Sequence, residues 1–420
     1  MKSDWACIAL LLPSSLFAYE LGSATSKLEF ESVNYTDVSA NSSTLHQLSL
    51  SANYIFSLSN NGRFVASPTL RASNFDGIKN HKRIDEAFID WRLSQSDLRV
   101  GIQKFSWGRT DIVNPINFSN ANFQDPLDDE FEDMGQLAIS QRSYYEHADL
   151  EVLWIPFYTA SELPNINSPW FPDLASTTPL GHNIDYQLLE MNTPKRSINN
   201  SQFGIRLTGS KLGMDYGISY FTGWNDLPVY QQSIIPIDVN NISIELKPIT
   251  YRINVFGVDG ATTLGSYTIR TELAYINTTD DNGSKPLVDD SFYHAVFGLD
   301  KQVSDLLLGE DLNILLEWSR QYSSTDIQYG PTDLDHIFEN TLFVRLSTNQ
   351  APAWEAQLDI VYDLANEGQF IRPTFISEVM DDFKVSVMLE WMNGDEDSFF
   401  GTFKDNRSIR IRFSKDSFLF

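Results

Sequence analysis

Apolar and polar residues alternate along most of this chain with the period of two that separates the two faces of a β-strand. In 47–56 (QLSLSANYIF), Leu48, Leu50, Ala52, Tyr54 and Phe56 share one face, against Gln47, Ser49, Ser51 and Asn53. In 354–363, Trp354, Ala356, Leu358, Ile360 and Tyr362 oppose Glu355, Gln357, Asp359 and Asp363. Similar segments are predicted at 27–37, 63–72, 84–93, 97–104, 135–143 and 148–156. Pro68 removes a ladder donor and predicts a bulge or irregular edge in its strand. From residue 201 hairpins become regular: FGIRL (203–207) is expected to meet LGMDYGISY (212–220), and NISIEL (241–246) to meet YRINVF (251–256). Later strands are predicted at 266–275, 291–300, 311–320, 339–347, 353–363, 368–378, 383–392 and 406–414. Two excursions interrupt them, a loop near 108–134 rich in Asn, Asp and Pro, and a proline-rich loop near 157–200. Loops of that length are usually functional or mobile.

The N-terminus reads as a secretory signal peptide, residues 1–18: Lys2, an apolar core from Ala6 to Leu12, and a small residue, Ala18. No later segment holds the 18 or so uninterrupted apolar residues of a membrane helix. An exported chain of this kind is either soluble in the periplasm or a closed barrel, the other structure that pairs every backbone group in lipid. Aromatics near strand ends (Tyr54, Phe56, Trp91, Trp107, Trp154, Tyr220, Trp224, Tyr275, Trp318, Trp391) favour the barrel, because interfacial girdles have that composition. No blade-length repeat supports a propeller. The expected fold is therefore all-β: residues 19–420 as a transmembrane antiparallel β-barrel of about 18 strands, since single-chain bacterial barrels have even strand counts. Sixteen is the alternative.

A net charge of −26 argues against nucleic acid as a partner. The acids cluster at 124–134, 280–290 and 394–398, none with EF-hand spacing. Cys7, inside the signal peptide, is the only cysteine, and the six histidines show no metal-ligand spacing, so no cofactor or metal is expected. His336, near Asp333 and Asp335, reads as a loop-surface residue. No G-x-S-x-G elbow is present. If the apolar faces meet lipid, the polar faces line a lumen. That places Arg206, Arg270, Glu272, Glu317, Arg345, Glu355, Arg372 and Glu390 on the inner wall, together with Arg71, Arg92, Arg99, Arg252, Arg410, Arg412 and Glu245. Such residues either select solutes or pair with one another to stiffen the wall. Phe88, Leu315, Val361 and Phe375 interrupt the polar face.

The stretch 98–118, LRVGIQKFSWGRTDIVNPINF, begins as a strand and ends in a cluster of aromatics and opposite charges around a glycine. Arg99, Gln103, Trp107, Gly108, Arg109 and Asp111 are the candidate structural or gating motif, with Arg109 and Asp111 expected to form a salt bridge within the turn, a ligand clamp being the alternative. The signal peptide, the hairpin periodicity and the final Phe420 resemble Gram-negative outer-membrane β-barrels of the porin-like kind. More specifically, G-I-Q-K-F-S-W-G-R-T-D followed by N-P-I-N, with W-I-P-F-Y-T-A-S-E-L-P at 154–164, looks like a motif of poorly characterised outer-membrane proteins. The resemblance implies an outer-membrane location, contact with membrane lipid and lipopolysaccharide, and delivery by the barrel-assembly machinery. It assigns the motif residues no chemistry.

The expected function is a passive channel for small solutes, with the two long loops forming a constriction. A narrow or plugged barrel acting as an export or assembly partner is the second reading, and a barrel hydrolase the third. Apolar residues on both faces of several strands would favour the plugged barrel.

Overall fold

The computed structural model describes residues 22–36, 44–74, 81–118, 133–172, 174–280, 284–285, 287–307, 310–323, 335–348 and 354–418. The expected signal peptide with Cys7, the terminal Phe420, Asp333 and most of the acidic run at 124–134 lie outside them.

Seven strands open the fold: β1 (Gly22–Tyr35), β2 (Thr44–Ser59), β3 (Gly62–Ser73), β4 (His81–Arg92), β5 (Ser96–Gln103), β6 (Gln136–Tyr144) and β7 (Asp149–Ile155). After β8 (Asn183–Leu188) come β9 (Gln202–Lys211), β10 (Met214–Trp224), β11 (Val229–Pro236), β12 (Asn241–Ile249) and β13 (Arg252–Leu264). The rest are β14 (Tyr267–Asn277), β15 (Phe292–Leu307), β16 (Glu310–Ser323), β17 (Asn340–Thr348), β18 (Trp354–Asp363), β19 (Gln369–Met380), β20 (Phe383–Asn393) and β21 (Ser408–Phe418). All but β8, β11 and β12 form one 18-stranded antiparallel sheet, in which each strand pairs with the next. The sheet closes where β1 pairs with β21, from Thr25↔Phe418 to Tyr35↔Ser408. Closure leaves no open edge, which a wall surrounded by lipid requires.

Connections alternate in length. One end carries tight turns at 60–61, 212–213, 265–266 and 381–382, and the other carries the long loops. At 212–213 both Leu212 and Gly213 have positive φ, the turn geometry that matches strand twist. The outer face is apolar, with Phe30, Leu48, Ile218, Phe256, Leu316 and Ile409 exposed to the surroundings. Among the described residues no helix is long and apolar enough to cross a membrane. The expected irregularity at Pro68 is a register shift between Ser67 and Pro68 in the pairing with β4.

Several expectations are corrected. The 241–246 segment does not pair with 251–256. It belongs to β12, which joins β8 and β11 in a separate three-stranded sheet at the long-loop end, so Glu245 is not on the lumen wall. The 157–200 loop is accordingly not strandless, since it contains β8. Arg252 and Phe375 both lie on the outer face, whereas Ile253, Val255, Phe370 and Arg372 beside them are buried inside. At the start of β13 the inference that polar residues point inward fails because the interior there is packed with apolar side chains, whereas Phe375 obeys it, its inward neighbours being Arg372 and Thr374. Trp107, Ile155, Phe221, Ile253 and Val255 form one apolar cluster, and Trp170, Phe343, Phe370, Met392 and Phe400 another. Trp107 is thus inside the barrel, not in an interfacial girdle.

Candidate functional site

Strand β5 ends at Gln103, and the chain then turns into the barrel instead of leaving it. Gln103 is fully buried; its Nε2 donates to Ala138 O at 3.0 Å and its Oε1 accepts from Ser140 Oγ at 2.8 Å. Those bonds tie the start of the loop to β6. Arg99, earlier on the same strand, lies 4.2 Å above the Phe88 ring and 3.9 Å from Asp90, which also holds Arg63 at 2.8 Å.

The wall makes room for the loop with glycines. A Cβ at Gly204 of β9 would meet Trp107 Cη2 at 2.6 Å, and one at Gly257 of β13 would meet Ile116 Cγ2 at 2.6 Å. Gly108 adopts φ +103°, and a side chain there would collide with Asn114. Asn114 Nδ2 donates to Trp107 O at 2.5 Å and Thr110 Oγ1 to Val113 O at 2.6 Å, which keeps the loop compact.

Wall carboxylates hold the loop by its backbone. Glu272 of β14 accepts the N–H groups of Arg109 and Thr110, the latter at 2.7 Å. Glu317 of β16 accepts from Asp111 at 3.0 Å, Ile112 at 3.3 Å and Val113 at 2.7 Å. Both carboxylates are 1% exposed, so these bonds satisfy charge taken out of water. Side chains add to the clamp. Arg109 Nε donates to Asp259 Oδ1 at 2.7 Å and its Nη1 lies 3.6 Å from Asp215, while Arg206 reaches Asp259 at 3.0 Å. Asp111 pairs with Arg270 at 2.9 Å, and Arg270 also bonds Asp300. Arg109 and Asp111 therefore do not bridge each other as expected. Each reaches across the lumen to a different part of the wall.

The other predicted wall residues form a belt of alternating charge. Arg345 (β17) meets Asp359 (β18) at 2.6 Å, and Asp359 meets Arg372 (β19) at 3.2 Å. Arg372 lies 4.0 Å from Glu390 (β20), which is 3.4 Å from Arg410 (β21). Arg410 and Arg412 close on Glu31 (β1) at 3.2 and 2.8 Å. Glu355 shares the inner face of β18 nearer the tight turns. Below the clamped loop a cavity of about 460 Å³ is lined by polar residues, among them Asp111, Asp300, Lys301, Asn313, Arg345 and Ser347. A second, of about 510 Å³, is lined by Lys27, Asn53, Thr69, Asp85, Glu86 and Lys104.

At the long-loop end a polar network joins three loops. Asn225 Nδ2 donates to Asp335 at 2.6 Å and lies 3.0 Å from the Tyr251 hydroxyl, which donates to Asp289 at 2.6 Å. Burial pushes the Asp226 carboxyl up to about 7 and raises Asp289 as well. His336 is not on the surface: it is 5% exposed, edge-on to Phe292, and its Nδ1 lies 2.5 Å from Gln321 Oε1. Burial lowers it to about 3. Among the described residues no three His, Cys, Asp or Glu side chains converge as metal ligands.

Asp259, Glu31, Gly204 and Gly257 were not singled out in the sequence. The available signal was glycine inside otherwise regular strands, which marks close approach of another group.

The closed 18-stranded wall, the apolar exterior and the inward loop together define the fold of outer-membrane porins. Pseudomonas aeruginosa OccK3 (OpdO) superposes with a TM-score of 0.53 at 10% identity, over 95% of this chain and 96% of that one. OccK5 (OpdH) of the same organism gives 0.53 at 10%, covering 95% and 98%, and OpdQ gives 0.52 at 9%, covering 95% and 97%. Identity this low establishes shared architecture alone. No curated protein sequence matches the chain. Residues 35–329 match the family described as protein of unknown function (DUF1302), and the chain belongs to that family.

Proposed function

We propose that this chain is an outer-membrane channel for small polar solutes, narrowed by its own 104–118 loop. The clamp is the observation that carries this reading. The buried carboxylates of Glu272 and Glu317, with Asp259 and Arg270, hold one loop inside the barrel, above a polar recess facing the tight turns. Rings of charge at such a narrowing discriminate among solutes by sign and size. The long-loop end faces outward and the tight turns face the periplasm, the arrangement of bacterial barrels. Contact with lipopolysaccharide and delivery by the barrel-assembly machinery belong to the same proposal, as do gating roles for Arg99, Gln103, Trp107, Gly108, Arg109 and Asp111.

Catalysis is not part of it. His294 Nε2 lies 2.8 Å from Ser319 Oγ, but that hydroxyl is fully buried and donates to Phe338 O at 2.9 Å, so a substrate has no access to it. The two apolar clusters inside the long-loop end favour a second reading, a narrow barrel serving an export or assembly partner. Planar-bilayer recording of the refolded chain separates the two. Uniform conductance steps with a defined reversal potential in a salt gradient are expected. A folded, heat-modifiable barrel that stays silent overturns the channel and leaves the second reading.

A further inference from the structure

Arg252 is the first residue of β13, and its outward side chain stands where that strand leaves the long-loop end. Directly opposite is Trp224, the last residue of β10, and the Arg252 guanidinium lies 4.5 Å from the Trp224 ring centre. Beneath this pair the outer face is apolar: Tyr220 and Phe256 pack at 4.8 Å, and Ile218 and Val258 are exposed below them. A Trp at the top of an apolar column marks the depth of the lipid headgroups.

The segment 195–201 folds over the same spot. Arg252 donates to Asn199 O and Ser201 O, both at 3.2 Å, and Trp224 Nε1 donates to Asn200 O at 3.1 Å. Asn200 Nδ2 in turn donates to Lys195 O at 2.8 Å. Lys195 and Arg196, both exposed, are thereby held beside Arg252, with the guanidinium of Arg196 against the Phe157 ring at 5.5 Å. In a chain of net charge −26, Lys195, Arg196 and Arg252 thus stand on one folded segment and on the strand end that it covers. Among the described residues no carboxylate forms an ion pair with any of them. Exposed Ile198 stands among them.

We infer that Lys195, Arg196 and Arg252 form a seat for a phosphorylated lipid headgroup in the outer leaflet. The phosphate meets the two guanidinium groups and the ammonium, and the acyl chains run down the Tyr220–Phe256 column. Arg suits this task because its planar fork matches phosphate oxygens and stacks on an aromatic ring. The inference rests on the membrane reading of the barrel but not on whether the pore conducts.

The test is native mass spectrometry of the folded full chain in detergent, offered bis-phosphorylated lipid A or the same lipid with its phosphates removed. The phosphorylated form is expected to be retained preferentially. Retention is expected to fall about fivefold for each charge removed in Arg252→Gln and in Lys195→Gln/Arg196→Gln. Lys211→Gln, which removes a charge at the tight-turn end, is expected to leave it unchanged. The double variant alters no hydrogen bond described above, so it reports on binding even if Arg252→Gln perturbs the segment. Equal retention of the two lipids, or retention unaffected by the double variant, overturns the inference. Displacement of the lipid by millimolar inorganic phosphate also overturns it, because a free anion would then be the occupant.

Discussion

The Glu317 carboxylate accepts the backbone N–H of Val113 at 2.7 Å, joining a wall strand to a loop 204 residues away in sequence. The same carboxylate takes two neighbouring N–H groups, so one side chain positions the middle of the loop.

Glu317→Gln keeps the shape but replaces one acceptor oxygen with a donor that faces backbone N–H groups. Hydrogen bonds to charged groups contribute roughly 1.5–3 kcal/mol each. Amide exchange at residues 111–113 is expected to accelerate at least tenfold, and single-channel conductance to rise. Unchanged exchange would show that the loop is held by its side chains alone.

Gly204→Val forces a branched side chain into the space occupied by the Trp107 ring. Overpacking of this kind costs about 1–3 kcal/mol. Trp107 is expected to shift toward water, seen as a red shift in tryptophan emission in a variant retaining only that tryptophan. Gly260→Ala, where a Cβ meets its first neighbour at 3.5 Å, is the control that should change little.

Arg372 sits between Asp359 and Glu390 with its side chain 7% exposed. Arg372→Met leaves Asp359 with Arg345 alone and Glu390 with Arg410 alone, so the cost is expected to be below the roughly 3–5 kcal/mol of a buried charge stripped of every partner. The heat-modification midpoint on gels is expected to drop, and to recover partly when Asp359→Asn is added. A midpoint equal to that of the parent would mean that water already solvates the belt.

Asp226 provides the pH dependence. Its folded-state pKa, about 7, lies above the ordinary carboxylate value because burial penalises the charge. Its contribution is therefore fully present below about pH 4 and is lost as pH rises through 7, since the unfolded loop releases its proton first. His336, held near 3 by burial, has the opposite sign: its neutral packing is favoured above pH 6.5 and penalised as pH falls toward 3. Proteolysis of the 225–251 loop is expected to be faster at pH 8 than at pH 6 in the parent. Asp226→Asn should remove that difference.

The barrel was legible because its strands obey a simple rule wherever lipid lies outside and water inside. Leu358 and Asp359, or Leu389 and Glu390, announce their faces directly. Eighteen of the 19 predicted segments are barrel strands; the exception, 241–246, alternates as cleanly as the others but lies in the separate sheet. Alternation reports a half-buried strand without naming its partner. Arg252 was misplaced for a related reason. Ile253 and Val255 point inward to a dry cluster, which reverses the expected polarity at that height. The motif 98–118 was visible as an anomaly, yet its partners were not. Asp259, Glu272 and Glu317 come to Arg109 and Asp111 only through closure of the sheet, and no local spacing encodes that.

The row Arg345–Asp359–Arg372 carries information that hydrophobicity cannot. Sliding a strand by one residue turns its apolar side chains into the lumen, a mistake that lipid itself corrects. Sliding by two keeps every face correct, and the apolar pattern cannot tell it from the native alignment. Such a slip between β17 and β18 would set Arg345 against Gln357 or Val361, and Asp359 against Ser347 or Phe343. Buried charges would then lie opposite neutral groups on both strands. The charged belt thus works as a vernier, reading strand alignment to the residue while the greasy exterior reads only which way each strand faces.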